Sequence, residues 1–268
     1  MKEQKAGTAP IEGGHCGQSV LCGRSYWGQE ITARRLGQGG TSLLFLASLG
    51  AEPCFSQVML LFLEELEREA ERDGRLLRLS ARALLSARSI YVLPCPNPDA
   101  QLIKSGRITE DSPFFQSVSA IRGRIPASLW TANGRGIDPS FNFAHRFALR
   151  GGKGPLRMAP FGCGGPYPES EPESAVLARL VRTLRPRLLV HLTKGRNSLC
   201  YPLELPALHA LCTRYAPFEF CGEELAATLE GWVGAEQGAA FLRISAKEGE
   251  GSRLYALLRP LLFALCGY

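Results

Sequence analysis

The sequence predicts an α/β domain, and three observations carry that prediction. Short, almost wholly apolar runs of strand length occur at residues 89–94 (SIYVLP) and 187–192 (RLLVHL), the pattern of strands buried on both faces. Longer segments with apolar residues at helical spacing alternate with them, as layered sheet-and-helix architectures require. The chain has 268 residues, 45% hydrophobic and 21% charged, enough to cover both faces of such a sheet.

Taken in order, residues 31–36 and 41–48 read as two strands. The glycine-rich connection Gly37-Gln38-Gly39-Gly40 predicts that they pair as an antiparallel hairpin. From residue 55 to 72, Val58, Leu61, Phe62, Leu66 and Ala70 recur on one helical face, with glutamates on the other. The apolar run at 89–94 ends in Asn97-Pro98-Asp99, a turn signal. Residues 100–168 carry many Gly, Pro and Ser, which predicts extended loops over one end of the sheet. Ser170-Glu171-Pro172-Glu173 has the form of a capping box, with Ser170 as N-cap and a helix running to about Leu184. Helices are expected at 205–215, 225–232 and 254–265, and a strand at 239–245. There is no internal repeat and no domain linker.

Composition narrows the function classes. No apolar run approaches the ~20 residues of a membrane span, and residues 1–14 lack the apolar core of a secretory signal. The chain is therefore expected in the cytoplasm. Its nine cysteines, an odd number, are expected as reduced thiols rather than a disulfide framework. Cys16 and Cys22 have no histidine nearby at zinc-finger spacing. The net charge of +6 comes from 25 Arg and 6 Lys dispersed among acidic residues, so neither a nucleic-acid partner nor a membrane partner is expected. The basic stretch 72–88 reads as a solvated helix face.

Five stretches, in order, resemble the zinc carboxypeptidase family, and especially its bacterial branch acting on γ-D-glutamyl-diaminopimelate peptides. Gly23-Arg24-Ser25 with Gly28-Gln29-Glu30-Ile31 is similar to the family's opening G-x-S-x-x-G-R-x-I segment. Leu49-Gly50-Ala51-Glu52 stands where the family has H-G-x-E, and Pro96-Asn97-Pro98-Asp99 is similar to V-N-P-D-G. Residues 130–143 resemble W-K-A-N-x-R-G-V-D-L-N-R-N-F. The S-E-P-E start at Ser170 and the His191 strand, with Gly195 and Tyr201-Pro202 behind it, complete the series. The resemblance covers residues 23–268 and leaves 1–22 as an N-terminal extension. It implies a mixed, twisted sheet of about eight strands with helices on both faces, and a cleft at the C-terminal ends of the central strands.

The family's chemistry uses a zinc held by two His and one Glu, with a fourth position open for water. A glutamate near the C-terminus serves as general base, an arginine supports the oxyanion, and an Asn-Arg pair grips the substrate's terminal carboxylate. This chain departs at most of these positions. Leu49 replaces the first histidine, leaving Glu52 and His191 as residual ligands. Thr131 stands in place of a basic residue, Ser140 and Phe141 replace the Asn-Arg pair, and aligning residues 240–244 with A-F-T-I-E puts Ile244 at the general base. A structural zinc site is worth ~10–16 kcal/mol over its ligands, so losing one of three empties it at ordinary zinc levels. Losing the general base costs a further ~10²–10⁴ in rate.

The resemblance thus implies a metallocarboxypeptidase relative with a decayed centre, no cofactor, and a pocket suited to a peptide or cell-wall fragment. Zinc enters only if other ligands rescue the site, the candidates being Cys54, His145 and Glu248. An active zinc enzyme with relocated ligands and a scaffold protein without a small ligand are the alternatives. Read without the resemblance, His191 is a buried core histidine and Glu52 a helix N-terminal acid. Asp99, Asp138 and Asn142 read as turn formers and loop anchors, and His15 and His209 as ordinary loop and helix residues.

Overall fold

The apolar runs of the sequence form the middle of one eight-stranded sheet. The computed structural model describes residues 17–77, 79–149, 158–222 and 225–268; His15 and Cys16 lie outside these. In chain order the elements begin with β1 (Gln18–Arg24), β2 (Glu30–Leu36), β3 (Thr41–Leu46) and α1 (Pro53–Glu71). A small ribbon follows, β4 (Arg75–Leu76) with β5 (Leu79–Ser80), then α2 (Ala81–Ala87), β6 (Arg88–Leu93), α3 (Pro98–Lys104) and α4 (Phe115–Arg122). The C-terminal half contains α5 (Pro172–Leu184), β7 (Leu188–Lys194), β8 (Ser198–Cys200), α6 (Pro206–Tyr215), β9 (Glu219–Phe220), α7 (Leu229–Glu236), β10 (Ala240–Ala246) and α8 (Gly251–Leu265).

The strand order is β1-β2-β6-β3-β7-β10-β8-β9. The central four, β6, β3, β7 and β10, are parallel to one another, and the strands flanking them, β2 and β8, pair antiparallel. Alternate side chains divide the core. Leu43, Phe45, Val190, Leu192, Leu242 and Ile244 pack with α1 and α8 on one face, whereas Leu44, Leu46, Leu189 and Phe241 pack with α5 and α7 on the other. The chain leaves β3 for β6 on one side and later returns to β7 on the other. That reversal opens a crevice at the C-terminal ends of β3 and β7.

Several sequence expectations need correction. Strands β2 and β3 do not form a hairpin, because β6 inserts between them and pairs with both. The glycines serve close approach instead: a Cβ on Gly39 would lie 1.9 Å from the Ala87 carbonyl carbon, and Gly37 has φ +81° with Arg88 O 2.2 Å from its Cβ position. Ser170 is not the N-cap of α5. Glu171 holds that position, Pro172 opens the helix, and the Glu173 side chain turns to other partners. Helix α7 starts at Leu229, capped by Thr228, whose Oγ1 accepts from Gly231 N at 3.2 Å. The loop region expected at 100–168 contains most of α3 and all of α4.

Candidate functional site

The crevice holds a cavity of about 290 Å³, built by the turn after β3, the end of β7, the first turn of α7, β10 and the 131–162 loops. Glu52 reaches it through a tight turn: Ala51 N donates to Ser48 O (3.0 Å), Gly50 N to Ser48 Oγ (3.0 Å), and Ala51 adopts φ 55°. A Cβ on Gly50 would lie 2.6 Å from Glu52 Oε1, so glycine there leaves room for the carboxylate. Glu52 occupies the N-cap position of α1, yet its side chain makes no capping bond. Its Oε1 instead accepts from Lys104 Nζ at 3.0 Å, with both side chains at most 5% exposed.

His191 comes from β7 and lines the same cavity. Its Nδ1 lies 2.6 Å from Glu230 Oε1 in the first turn of α7. Arg243, beside His191 in the parallel register of β10 and β7, brings Nε to 3.8 Å from the same oxygen. Burial opposes ionisation of Glu230, but the charges of His191 and Arg243 and the hydrogen bond from His191 outweigh it and bring its pKa down to about 2. An ionised carboxylate can only accept, so Nδ1–H is the donor in this bond. His191 Nε2 and Glu52 Oε2 are both buried without a hydrogen-bond partner among the described residues.

Thr131 and Ser140 line the cavity and are tied to one acid. Thr131 Oγ1 donates to Asp138 Oδ2 at 2.6 Å, and Ser140 N donates to Asp138 Oδ1 at 3.0 Å. Burial raises the Asp138 pKa, against the hydrogen bonds from Thr131, Gly162 and Ser140 that favour its charged form. Phe141 also faces the cavity.

The structure moves two expected residues away from it. Leu49 is 1% exposed and packs into the α5/α7 side of the core. Ile244 is fully buried among α1 and α8 residues on the opposite face of β10, because strand side chains alternate. Arg243, not Ile244, is the β10 residue that pairs with His191 and faces the crevice. The rescue candidates also lie elsewhere. Cys54 is in the α1/α8 core, Glu248 pairs with Lys194 at 3.1 Å, and His145 packs against Gly231. Lys104, Glu230 and Arg243 were not singled out from the sequence. A charge in a short helix or strand carries no periodic signal for burial; the helix that delivers Glu230 is expected, but which of its faces meets the crevice is not.

A loop network positions the site from behind. Asn97 caps α3, accepting from Ala100 N, while its Nδ2 donates to Leu49 O (2.8 Å) and Thr131 O (3.1 Å). Asn142 Nδ2 donates to Gly164 O, Tyr167 O and Ser170 Oγ. Asp99 accepts from Ser25 Oγ, Trp27 N and Gly134 N. These are the anchoring roles expected of Asp99 and Asn142.

No protein-family profile matches the chain. Among solved structures, bovine thrombin-activatable fibrinolysis inhibitor, in complex with tick carboxypeptidase inhibitor, superposes with a TM-score of 0.66 at 13% identity over 94% of this chain and 90% of that one. Murein-tripeptide amidase MpaA of Escherichia coli O157 gives 0.61 at 15% identity over 93% and 92%. Carboxypeptidase A of Helicoverpa armigera gives 0.64 at 14% over 94% and 67%. This chain has the zinc metallocarboxypeptidase fold.

In sequence, the carboxypeptidase-fold chain is 24% identical over 168 residues to γ-D-glutamyl-L-diamino acid endopeptidase 1 of Lysinibacillus sphaericus. That match spans 62% of this chain and 42% of the curated relative, less than half its length, and it supports the likeness to the bacterial branch. The residues present do not fit the three-ligand zinc centre of such a fold. The first ligand's place in the sequence is taken by a leucine packed into the core, and Glu52 is neutralised by Lys104. Among the described residues, no group of three or more His, Cys, Asp or Glu is placed to hold a metal ion. No described helix is long and apolar enough to cross a membrane.

Proposed function

We propose that this carboxypeptidase-fold chain does not perform zinc hydrolysis and uses the crevice to bind a peptide or cell-wall fragment. One observation carries the reading: Glu52, the residual acidic ligand, is bonded to a buried ammonium, while the partner histidine is replaced by Leu49 in the core. The binding half is supported by the shape and lining of the crevice. The 290 Å³ cavity adjoins a second of about 490 Å³, and the two share Lys194 and Arg243. Together they place Phe141, Phe161 and Phe220 beside Arg196, with Lys194 and Arg243 paired to Glu248 and Glu230, a surface that offers a short peptide apolar contact and mixed polar partners.

The test is elemental analysis of protein purified without added metal, combined with calorimetric titration and a hydrolysis assay using a γ-D-glutamyl-diamino acid peptide. The expected result is substoichiometric zinc, saturable binding and no turnover. One zinc per chain with chelator-sensitive hydrolysis would sink the proposal, and so would a peptide that neither binds nor reacts.

A further inference from the structure

The geometry points to Lys104 as the cation that has taken the metal's place. The inference rests on the metal-free reading above and says what keeps the metal out. In a zinc centre, the buried carboxylate is neutralised by the ion it coordinates. Here that carboxylate is still delivered to the crevice by the turn after β3, and its charge is met by an ammonium from the last turn of α3 at 3.0 Å.

The arrangement is built rather than incidental. The Lys104 side chain is 5% exposed, too deep for an ordinary surface pair. Helix α3 is held in position by Asn97, whose amide bonds the carbonyls of Leu49 and Thr131 on either side of the crevice. Among the described residues Glu52 Oε2 remains without a partner, so the carboxylate keeps one unshared oxygen near a fixed positive charge. A dication approaching that oxygen meets the ammonium's repulsion, and the carboxylate gains little from exchanging one counter-charge for another. Glu230 repeats the theme on the other residual ligand. It holds His191 through Nδ1 while Arg243 supplies the nearby positive charge. Each residual ligand is thus met by a protein-borne positive charge, Lys104 at Glu52 and Arg243 beside the His191–Glu230 pair.

The consequence is specific: removing the ammonium at Lys104, rather than adding a histidine at the core-packed position 49, is what opens Glu52 to zinc. The experiment compares wild type, Leu49→His, Lys104→Met and the double variant. It reads the zinc retained after dialysis and the shift in thermal midpoint on adding zinc, since a ligand that binds only the folded state raises that midpoint. Wild type and Leu49→His are expected to retain none, Lys104→Met to show a small zinc-dependent shift, and the double variant to bind at least about tenfold more tightly than Leu49→His.

Glu52→Gln/Lys104→Met serves as the folding control. Removing both charges should recover the midpoint lost in Lys104→Met while abolishing its response to zinc. If Leu49→His alone binds zinc as tightly as the double variant, or if zinc leaves both Lys104→Met proteins unmoved, the inference fails and the metal-free reading stands. Zinc retained by wild type overturns both.

Discussion

Glu230 shows how one side chain organises the centre. Its carboxylate, fully desolvated, accepts from His191 and lies beside Arg243, so it is held ionised in a place where an isolated carboxylate would be neutral. Glu230→Gln takes the buried negative charge away from His191 and from the neighbouring Arg243. We expect a loss of about 3–5 kcal/mol, the usual cost of breaking a buried pair from one side, measured by urea denaturation. An unchanged midpoint would show that the pair contributes nothing. At this scale the sequence was informative about Glu52 and His191, which stand in recognisable motifs, and uninformative about their partners. Lys104 and Glu230 are 52 and 39 residues away along the chain, and spacing cannot report a contact made only by folding.

At the scale of elements, α3 couples the loop layer to the crevice. Its cap, Asn97, satisfies a helix N–H and two carbonyls at once, and its last turn carries Lys104. Asn97→Ala is expected to cost about 2–4 kcal/mol, from the lost cap and the two orphaned carbonyls. It should also raise amide exchange across α3 more than across α1, as hydrogen exchange would show; uniform exchange would argue that α3 is held by packing alone. The same scale explains where strand and helix limits were misread. Strands β2 and β3 fall where strands are expected, β3 stopping at Leu46, but β6 pairs its backbone with both and so separates them. In 170–173, the pattern of a capping box is present but Glu173 is drawn away to Asn133 and Tyr26 N.

For the whole molecule, buried acids set opposite responses to pH. Glu230 has a folded pKa of about 2, below its ordinary 4.5, so its contribution is full above 4.5 and is lost as pH falls toward 2. Glu173 behaves in the reverse sense. Burial outweighs the hydrogen bonds from Asn133 and Tyr26, and with the nearby Asp99 it pushes the pKa from 4.5 to about 7. The folded state then holds a proton that the unfolded state has released, and stability falls between about pH 4.5 and 7, by roughly 3 kcal/mol at full extent. Burial raises Asp99 and Asp138 in the same direction. Urea midpoints measured from pH 3 to 8 should therefore peak near pH 4.5. Glu173→Gln should flatten the alkaline limb and leave the acid limb in place; a variant with an unchanged alkaline limb would refute the assignment.

By itself the sequence determined the architecture and its departures. Apolar runs of strand length, helices of matching periodicity and five ordered motifs were enough to imply a carboxypeptidase-like sheet with Leu49 where a ligand belongs, because burial patterns and motif order are properties of the linear chain. Only the tertiary structure decided what fills the vacated chemistry. Which face of β10 meets the crevice, and which charges from α3 and α7 neutralise Glu52 and His191, depend on strand register and helix placement. Those contacts join residues far apart in sequence, and no local pattern encodes them.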